Sequence, residues 1–512
     1  MNTLDFVSTI RGKKLLLHYS HMETSQHNDC LPHELHVHTN CADDQLQIRL
    51  NLYLQNALRT LLRPRDEAID KTLARIASTY KKKKQGHHKK PSAASSAPPH
   101  LIYVLHHQQR VDASKLTNGQ WETGMEVVLD RQVFHVVVNP PLIISLTTFP
   151  RKHMIVGCPI VPLVVSESAH SHELHWYRDR KSLIEEYDYF TTGMAYVPTE
   201  DDLGRRLKIF AVPLRHQDAS ILRGRSVVFY LNSPIQHSSS CSLMKTLRED
   251  FCSLRSPQAL TQTDELRVVT YNILSESYAS TDYAKKRLYG YVQHPAYLES
   301  EFRSALTLDE LLAYQADIVC LQECDRKVFE SYFQPYLQKM RYSCHFGSKF
   351  GGVQEGCAMF LRTSSLCPLM VLHLPLREFI LSDPLISPIL DARDEVREVL
   401  GSHINTIVQV AICQCVSDAD QFVIIANTHL FYHPAAAYVR LVHTYVILHL
   451  LERLQQDIIT EQRVDVTSLL NTNAENSYDP LNIPCDRPRV AIIFAGDLNS
   501  TPETAVIELI NR

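Results

Sequence analysis

A grammar repeated between residues 266 and 502 constrains this chain most: short apolar runs alternate with helix-like segments, and each run stops in polar residues. The clearest run is Val490-Ala491-Ile492-Ile493-Phe494-Ala495, followed by Gly496-Asp497-Leu498-Asn499-Ser500-Thr501-Pro502. Short, β-branched and apolar, it reads as a buried strand. Gly496 permits a turn at its end. Residues two apart on an extended backbone point the same way, so Asp497 and Asn499 can share a site. A carboxylate offers a hard oxygen to a cation or takes a proton, and an amide both donates and accepts. Taken alone, the stretch is equally good turn chemistry.

Three other strands end in the same manner. Residues 267–274 carry Asn272 near their end, 317–323 stop at Glu323, and 422–430 finish in Asn427-Thr428-His429-Leu430. Singly, each has a bland reading: Asn272 bonding backbone, Glu323 pairing with Arg326 or Arg362, His429 satisfied in a core. Jointly they are more specific, because ligand sites form where strand ends converge. Uncompensated polar ends are also costly unless a site uses them. Between the strands, residues 301–316 and 434–454 have helical spacing, and 375–400 read as a charged helical excursion on the surface. The glycine-rich stretch 347–352 precedes a strand, not a helix, which argues against a phosphate-cradling loop.

At 512 residues the chain exceeds one typical domain. A hydrophobic share of 45% with 21% charged residues is globular, and a net charge of −4 gives no global basic field, so nucleic-acid binding requires a local patch. The 13 cysteines are scattered without CxxC pairs, which fits reduced, buried thiols of an intracellular protein better than a disulfide framework. No apolar run approaches the ~20 residues of a membrane span.

The expected organisation has five parts. Residues 1–79 form an N-terminal segment, partly β, whose first 22 residues suit a mitochondrial presequence and a first strand alike. Residues 80–100 are a basic, then Pro/Ser-rich linker or loop, with a polybasic arm for RNA phosphates as the functional alternative. Residues 101–234 read as a mostly-β accessory domain, an immunoglobulin-like sandwich with Trp176 and Tyr196 as core residues. A polar connector covers 235–263, and 264–512 form the catalytic domain.

The residues Tyr271-Asn272-Ile273-Leu274, Cys320-Leu321-Gln322-Glu323, Glu355-Gly356, Asn427-Thr428-His429-Leu430 and Gly496-Asp497-Leu498-Asn499 together resemble the endonuclease/exonuclease/phosphatase superfamily. The stretch from Asn272 to Tyr278 and the pair His433-Pro434 resemble its deadenylase branch, and residues 139–207 resemble an accessory domain found there. That resemblance implies a four-layered α/β sandwich using Mg2+ to cleave phosphoesters. It implies a 3′→5′ exoribonuclease and phosphodiesterase of 2′,5′-oligoadenylate and poly(A), releasing AMP. By the same resemblance the enzyme is a monomer in the mitochondrial matrix, with the cytoplasm as the alternative. Glu323 and Asp497, with Asn499, would hold Mg2+, and Asn272 would help position metal or phosphate. Asp497 would act on the attacking water, Asn499 and His429 would contact phosphoryl oxygens, and Tyr432 and Pro434 would face the base. The superfamily pattern also has an Asp-His pair after Gly-Asp-x-Asn, and no Asp-His pair occurs here. The expectation is a C-terminally incomplete catalytic domain, with a catalytically dead RNA-binding or interaction protein as the alternative.

Overall fold

The computed structural model describes residues 7–10, 13–16, 33–39, 46–54, 57–81, 101–180, 183–217, 220–237, 265–292, 294–349, 352–465, 479–483, 485 and 487–512. The basic linker from residue 82, most of the connector and much of the loop before the Asp497 strand lie outside these residues. So does most of the candidate presequence, apart from the antiparallel pair Val7–Ile10 and Lys13–Leu16. Two compact units are present. One comprises Met1–Thr147, Pro162–Met194 and Arg205–Asn232; the other comprises Thr148–Val161, Ala195–Gly204 and Ser233–Arg512.

The first unit is mostly β. Its seven-stranded sheet runs Ala57–Pro64, Gln47–Leu54, Glu34–His38, Gln132–Val138, Glu126–Leu129, Ile102–His106 and Gln109–Val111. The alternating residues Leu35 and Val37, Ile48 and Leu50, Val127 and Leu129, Phe134 and Val136 converge on one core. The helix Ile69–Lys81 covers it with Ile69, Leu73 and Ile76, the spacing of one helical face. This corrects the expected boundary between residues 79 and 101. Strands on either side of the linker share a sheet, through the parallel pairing of Glu34–His38 with Gln132–Val138. A composition shift marks a change in solvation, and here it does not separate two cores.

A second sheet in this unit is built on Ser171–Arg180 and Leu207–Gln217, flanked by Leu183–Thr192, Ser220–Arg223 and Val227–Leu231. Trp176 is wholly buried, as expected, and its indole N–H donates to the Gly193 carbonyl at 2.8 Å.

The second unit has four layers. One sheet has the order Val268–Asn272, Ile318–Asp325, Glu355–Arg362, Tyr342–Ser348; the other has Leu366–Pro375, Ile407–Cys415, Gln421–His429, Arg489–Asp497. Alternation decides which side chains face which layer. Ile318, Cys320, Met359 and Leu361 of the first sheet meet Ala411, Cys413, Val423, Ile425 and Ala495 of the second in an apolar seam. The opposite residues of the second sheet, among them Val410, Phe422, Ile424 and Ala426, pack under Val439, Ile447, Leu450 and Leu454 of the helix Ala437–Gln456. On the far side of the first sheet, Phe360 packs against Phe329 at 5.6 Å in a tilted pair and against Phe333 at 6.4 Å edge to face. The helices Leu376–Ser382 and Ser387–Asp391 fall where a surface excursion is expected, but Leu376, Ile380, Ile386 and Leu390 are buried in the helix-covered core. Apolar residues at helical spacing, diluted by charge, hid that burial.

The second unit also reaches back beyond the start expected for it at residue 264. Phe149 packs its ring on Tyr332 at 4.5 Å, the Tyr332 hydroxyl donates to the Pro159 carbonyl at 2.8 Å, and Ile155 and Cys158 cluster with Phe302 and Ala305. The nine described cysteines are all free thiols; burial pushes those of Cys357 and Cys413 up to about 12. Among the described residues no helix is long and apolar enough to cross a membrane.

Candidate active site

The two sheets each contain one parallel pair: Val268–Asn272 with Ile318–Asp325, and Gln421–His429 with Arg489–Asp497. The inward-facing positions therefore form a sequence down the seam. Apolar residues come first, then Thr270, Gln322 and Asn427, then Asn272, His429 and Asp497. Asn427 is wholly buried and ties the sheets together. Its amide donates to the carbonyls of Leu321 at 3.1 Å and Ala358 at 3.2 Å, and its oxygen accepts from Gln322 Nε2 at 2.8 Å. Gln322 Nε2 also donates to Thr270 Oγ1 at 3.2 Å. This polar bridge closes the apolar core immediately behind the site.

Asn272 is the centre of the cluster. Its Nδ2 donates to Glu323 Oε1 at 3.0 Å and to Asp497 Oδ2 at 2.8 Å, and its oxygen accepts from the Leu274 amide at 3.0 Å. The second Glu323 oxygen accepts from the Ser275 amide at 3.1 Å. Thus Glu323 pairs with neither arginine of its bland reading; Arg362 instead serves the Ala316 carbonyl and Asp317, and Arg326 serves Glu330. His429 Nε2 lies 3.8 Å from Asp497 Oδ2. The His429 ring is buried and its Nδ1 has no hydrogen-bond partner. Burial first, then the Lys349 charge, holds this imidazole below its usual range, against the opposite pull of Asp497, Glu323 and Glu355.

Two of these placements differ from simple strand logic. Glu323 is not the strand end: the strand continues to Asp325, and its register breaks between Leu321 and Cys324. Alternation would aim Gln322, not Glu323, into the seam. A bulge with Glu323 at φ +54° re-aims the carboxylate. Asn499 likewise does not reach the site by strand alternation, because the strand stops at Asp497. Its backbone N–H donates to Asp497 Oδ1 at 3.0 Å, a local Asx turn with φ +46°, and its Nδ2 is held by the Leu430 carbonyl at 2.8 Å. Gly496 lies within the strand at φ +151°, and a Cβ there would sit 2.2 Å from the Thr428 oxygen. The glycine is required by close strand approach, not by a turn.

A cleft of about 450 Å³ opens beside the cluster, lined by Glu323, His429, Tyr278, Tyr432, Lys349 and Glu355 among others. Tyr432 is exposed there. Pro434 is exposed but not among the lining residues. Arg440 of the long helix fixes this loop, donating to the carbonyls of Phe431 at 3.1 Å and His433 at 2.7 Å.

Lys349 has no place in the sequence-based site, and Glu355 stands there only within a motif, without a site role. Lys349 Nζ meets Glu355 Oε1 at 2.5 Å, the Tyr278 hydroxyl donates to the same oxygen at 3.1 Å, and the other Glu355 oxygen is buried without a partner. Burial would lower the Lys349 ammonium, and the Glu355 carboxylate more than reverses this. The signal available was the carboxylate of Glu355 opening an otherwise apolar buried strand.

The donor set suits a hard divalent cation. Two carboxylates and a side-chain amide supply only oxygen, the ligand type such ions take. Among the described residues no group of three or more His, Cys, Asp or Glu converges.

Residues 269–511 match the Endonuclease/Exonuclease/phosphatase family. The 2′,5′-phosphodiesterase 12 of Mus musculus is 26% identical over 432 residues, covering 80% of this chain and 64% of that protein. The chain therefore spans less than two thirds of that relative's length. The CCR4-Not complex 3′-5′-exoribonuclease subunit Ccr4 of Yarrowia lipolytica is 25% identical over 261 residues, 49% of this chain and 34% of that protein. Among solved structures, the human nocturnin catalytic domain with bound sulfate is 20% identical, covering 48% of this chain and 67% of that one, with a TM-score of 0.31.

Proposed function

Because residues 269–511 match the Endonuclease/Exonuclease/phosphatase family, we propose that the chain is a Mg2+-dependent 3′→5′ exoribonuclease and phosphodiesterase. Its substrates are 2′,5′-oligoadenylate and poly(A), and its product is AMP. The observation that carries this reading is the Asn272 amide bridging Glu323 and Asp497, beside His429, at the open end of the sheet seam. The names of the relatives, a 2′,5′-phosphodiesterase and a 3′-5′-exoribonuclease, support the substrate class.

Glu323 and Asp497, with the Asn499 oxygen, would hold the cation. When bound it supplies charge neutralisation at the phosphoryl and leaving oxygens. Every other part belongs to the chain. Asn272 donates to one oxygen of each carboxylate and so sets their separation. Asp497 takes the proton of the attacking water as the new P–O bond forms. The bond to the 2′ or 3′ oxygen of the preceding nucleotide breaks, and that oxygen leaves with the bonding electron pair and takes its proton from solvent water. His429, held neutral by burial, presents an N–H to a phosphoryl oxygen. Tyr432 offers an apolar face for adenine to stack on. The mitochondrial matrix stays the proposed compartment, on resemblance alone.

The test is AMP release from a 2′,5′-linked adenylate trimer and a matched 3′,5′-linked trimer, with Mg2+ and with a chelator. Metal-dependent AMP release from either supports the reading, and the ratio of rates gives the linkage preference. Inorganic phosphate released from mononucleotides in place of AMP would move the chain to a phosphatase.

A further inference from the structure

The outer face of the five-stranded sheet in the first unit carries a row of rings that the catalytic reading does not use. Register places Tyr189, Tyr177, Lys208 and Tyr230 side by side on four adjacent strands. Their neighbours on the same face are His175, Tyr187 and Phe210. The alternate residues, Trp176, Leu207 and Ile209, fill the core beneath. On the two central strands, Ser171–Arg180 and Leu207–Gln217, period-2 alternation therefore separates buried apolar residues from an aromatic outer face.

The rings contact one another. Tyr177 and Tyr189 lie 5.7 Å apart edge to face, as do Tyr187 and Tyr230, and His175 sits 6.0 Å from Phe210. Lys208 Nζ stands at their centre, 4.6 Å from the Tyr177 ring, 4.9 Å from Tyr187 and 6.0 Å from Tyr230. The acids described nearby are taken: Glu186 and Asp188 by Arg180, and Asp179 by the Arg206 amide at 3.0 Å. Lys208 has no carboxylate within ion-pair distance among the described residues. Tyr189 is 56% exposed and Tyr230 36%.

Cross-strand aromatic pairs can serve a sheet simply by packing. A purely structural ladder, however, does not call for an unpaired cation among its rings, or for leaving the outermost rings in water. A flat row of rings around a cation suits one occupant by chemistry: bases stack on the rings while the ammonium meets a phosphate. The chain's net charge of −4 makes such a local patch necessary for any nucleic-acid contact.

We infer that the Tyr189–Tyr177–Lys208–Tyr230 face is a binding platform for single-stranded RNA, separate from the active site. It stands whether or not the catalytic unit turns over substrate. Binding is non-specific in sequence, because every base has a π-face.

The experiment uses the full chain in chelator and a fluorescein-labelled twelve-nucleotide oligoadenylate, read by anisotropy over a salt series. Tyr189→Ala with Tyr230→Ala is expected to weaken binding about tenfold or more, and Tyr189→Phe with Tyr230→Phe to restore it. Lys208→Gln should reduce the slope of log affinity against log salt by about 0.7. Photo-crosslinking of a 4-thiouridine-containing strand should map to peptides between residues 175 and 230. Unchanged affinity in folded alanine variants, with crosslinks confined to the catalytic unit, would overturn the inference. So would a concentration-dependent dimer that dissociates in the alanine variant, since the face would then be covered by a second copy.

Discussion

At the residue scale, the site is held by a few positions with no tolerance. Gly496 is one, since a Cβ would meet the Thr428 oxygen at 2.2 Å on a backbone at φ +151°. Gly496→Ala should cost at least about 2 kcal/mol in urea unfolding and pull Asp497 off the Asn272 amide, with AMP release falling accordingly. Buried histidines set the acid limit of the same unit. Burial takes His443 down to about 3, and burial with His345 takes His373 down to about 4. Below about pH 6.5 the unfolded chain binds protons that these folded imidazoles refuse. Their contribution is therefore full above pH 6.5 and is lost as pH falls toward 4, at about 1.4 kcal/mol per unit for each histidine. The urea midpoint should drop between pH 7 and 5, and His443→Gln should flatten that drop. A midpoint indifferent to pH in both proteins would contradict the assignment.

At the element scale, strands deliver the site, and this is where the sequence was most readable. Alternation alone puts Asn272, His429 and Asp497 at the last inward positions of their strands, so their convergence could be anticipated from apolar runs ending in polar residues. What alternation cannot encode is a break in itself. The bulge that turns Glu323 inward and the Asx turn that returns Asn499 depend on the tertiary register. Lys349 and Glu355 meet through a hairpin whose pairing no local pattern announces. Asn427 was read only as part of a motif, yet it joins the two sheets. Asn427→Ala leaves Gln322 Nε2 without its amide partner and strips a donor from two buried carbonyls, at about 1–3 kcal/mol for each orphaned group. We expect a clear loss in unfolding midpoint and a fall in AMP release per folded molecule, both relieved by an isosteric partner of equal hydrogen-bonding capacity elsewhere in the bridge.

At the scale of the whole molecule, the compact units cut across chain order. Residues 148–161 and 195–204 lie early in the sequence but belong to the catalytic unit. Composition could not show this, because the segments are short and their partners, Phe302, Ala305 and Tyr332, read as ordinary helix residues. A fragment of residues 265–512 should therefore expose that surface, melt several degrees lower than the full chain and aggregate, as thermal unfolding and light scattering would report. Equal stability of fragment and full chain would show those segments to be dispensable. The central claim, that the Asn272–Glu323–Asp497 cluster is a metal-assisted phosphodiester site, is tested most directly by one comparison. AMP release from the 2′,5′-linked adenylate trimer is measured with Mg2+ and with EDTA, for the chain and for Asp497→Ala. The account predicts release that EDTA stops and that Asp497→Ala lowers at least about a hundredfold in folded protein. Release unaffected by EDTA or by the substitution would contradict it, and no release from the folded chain would favour a binding role.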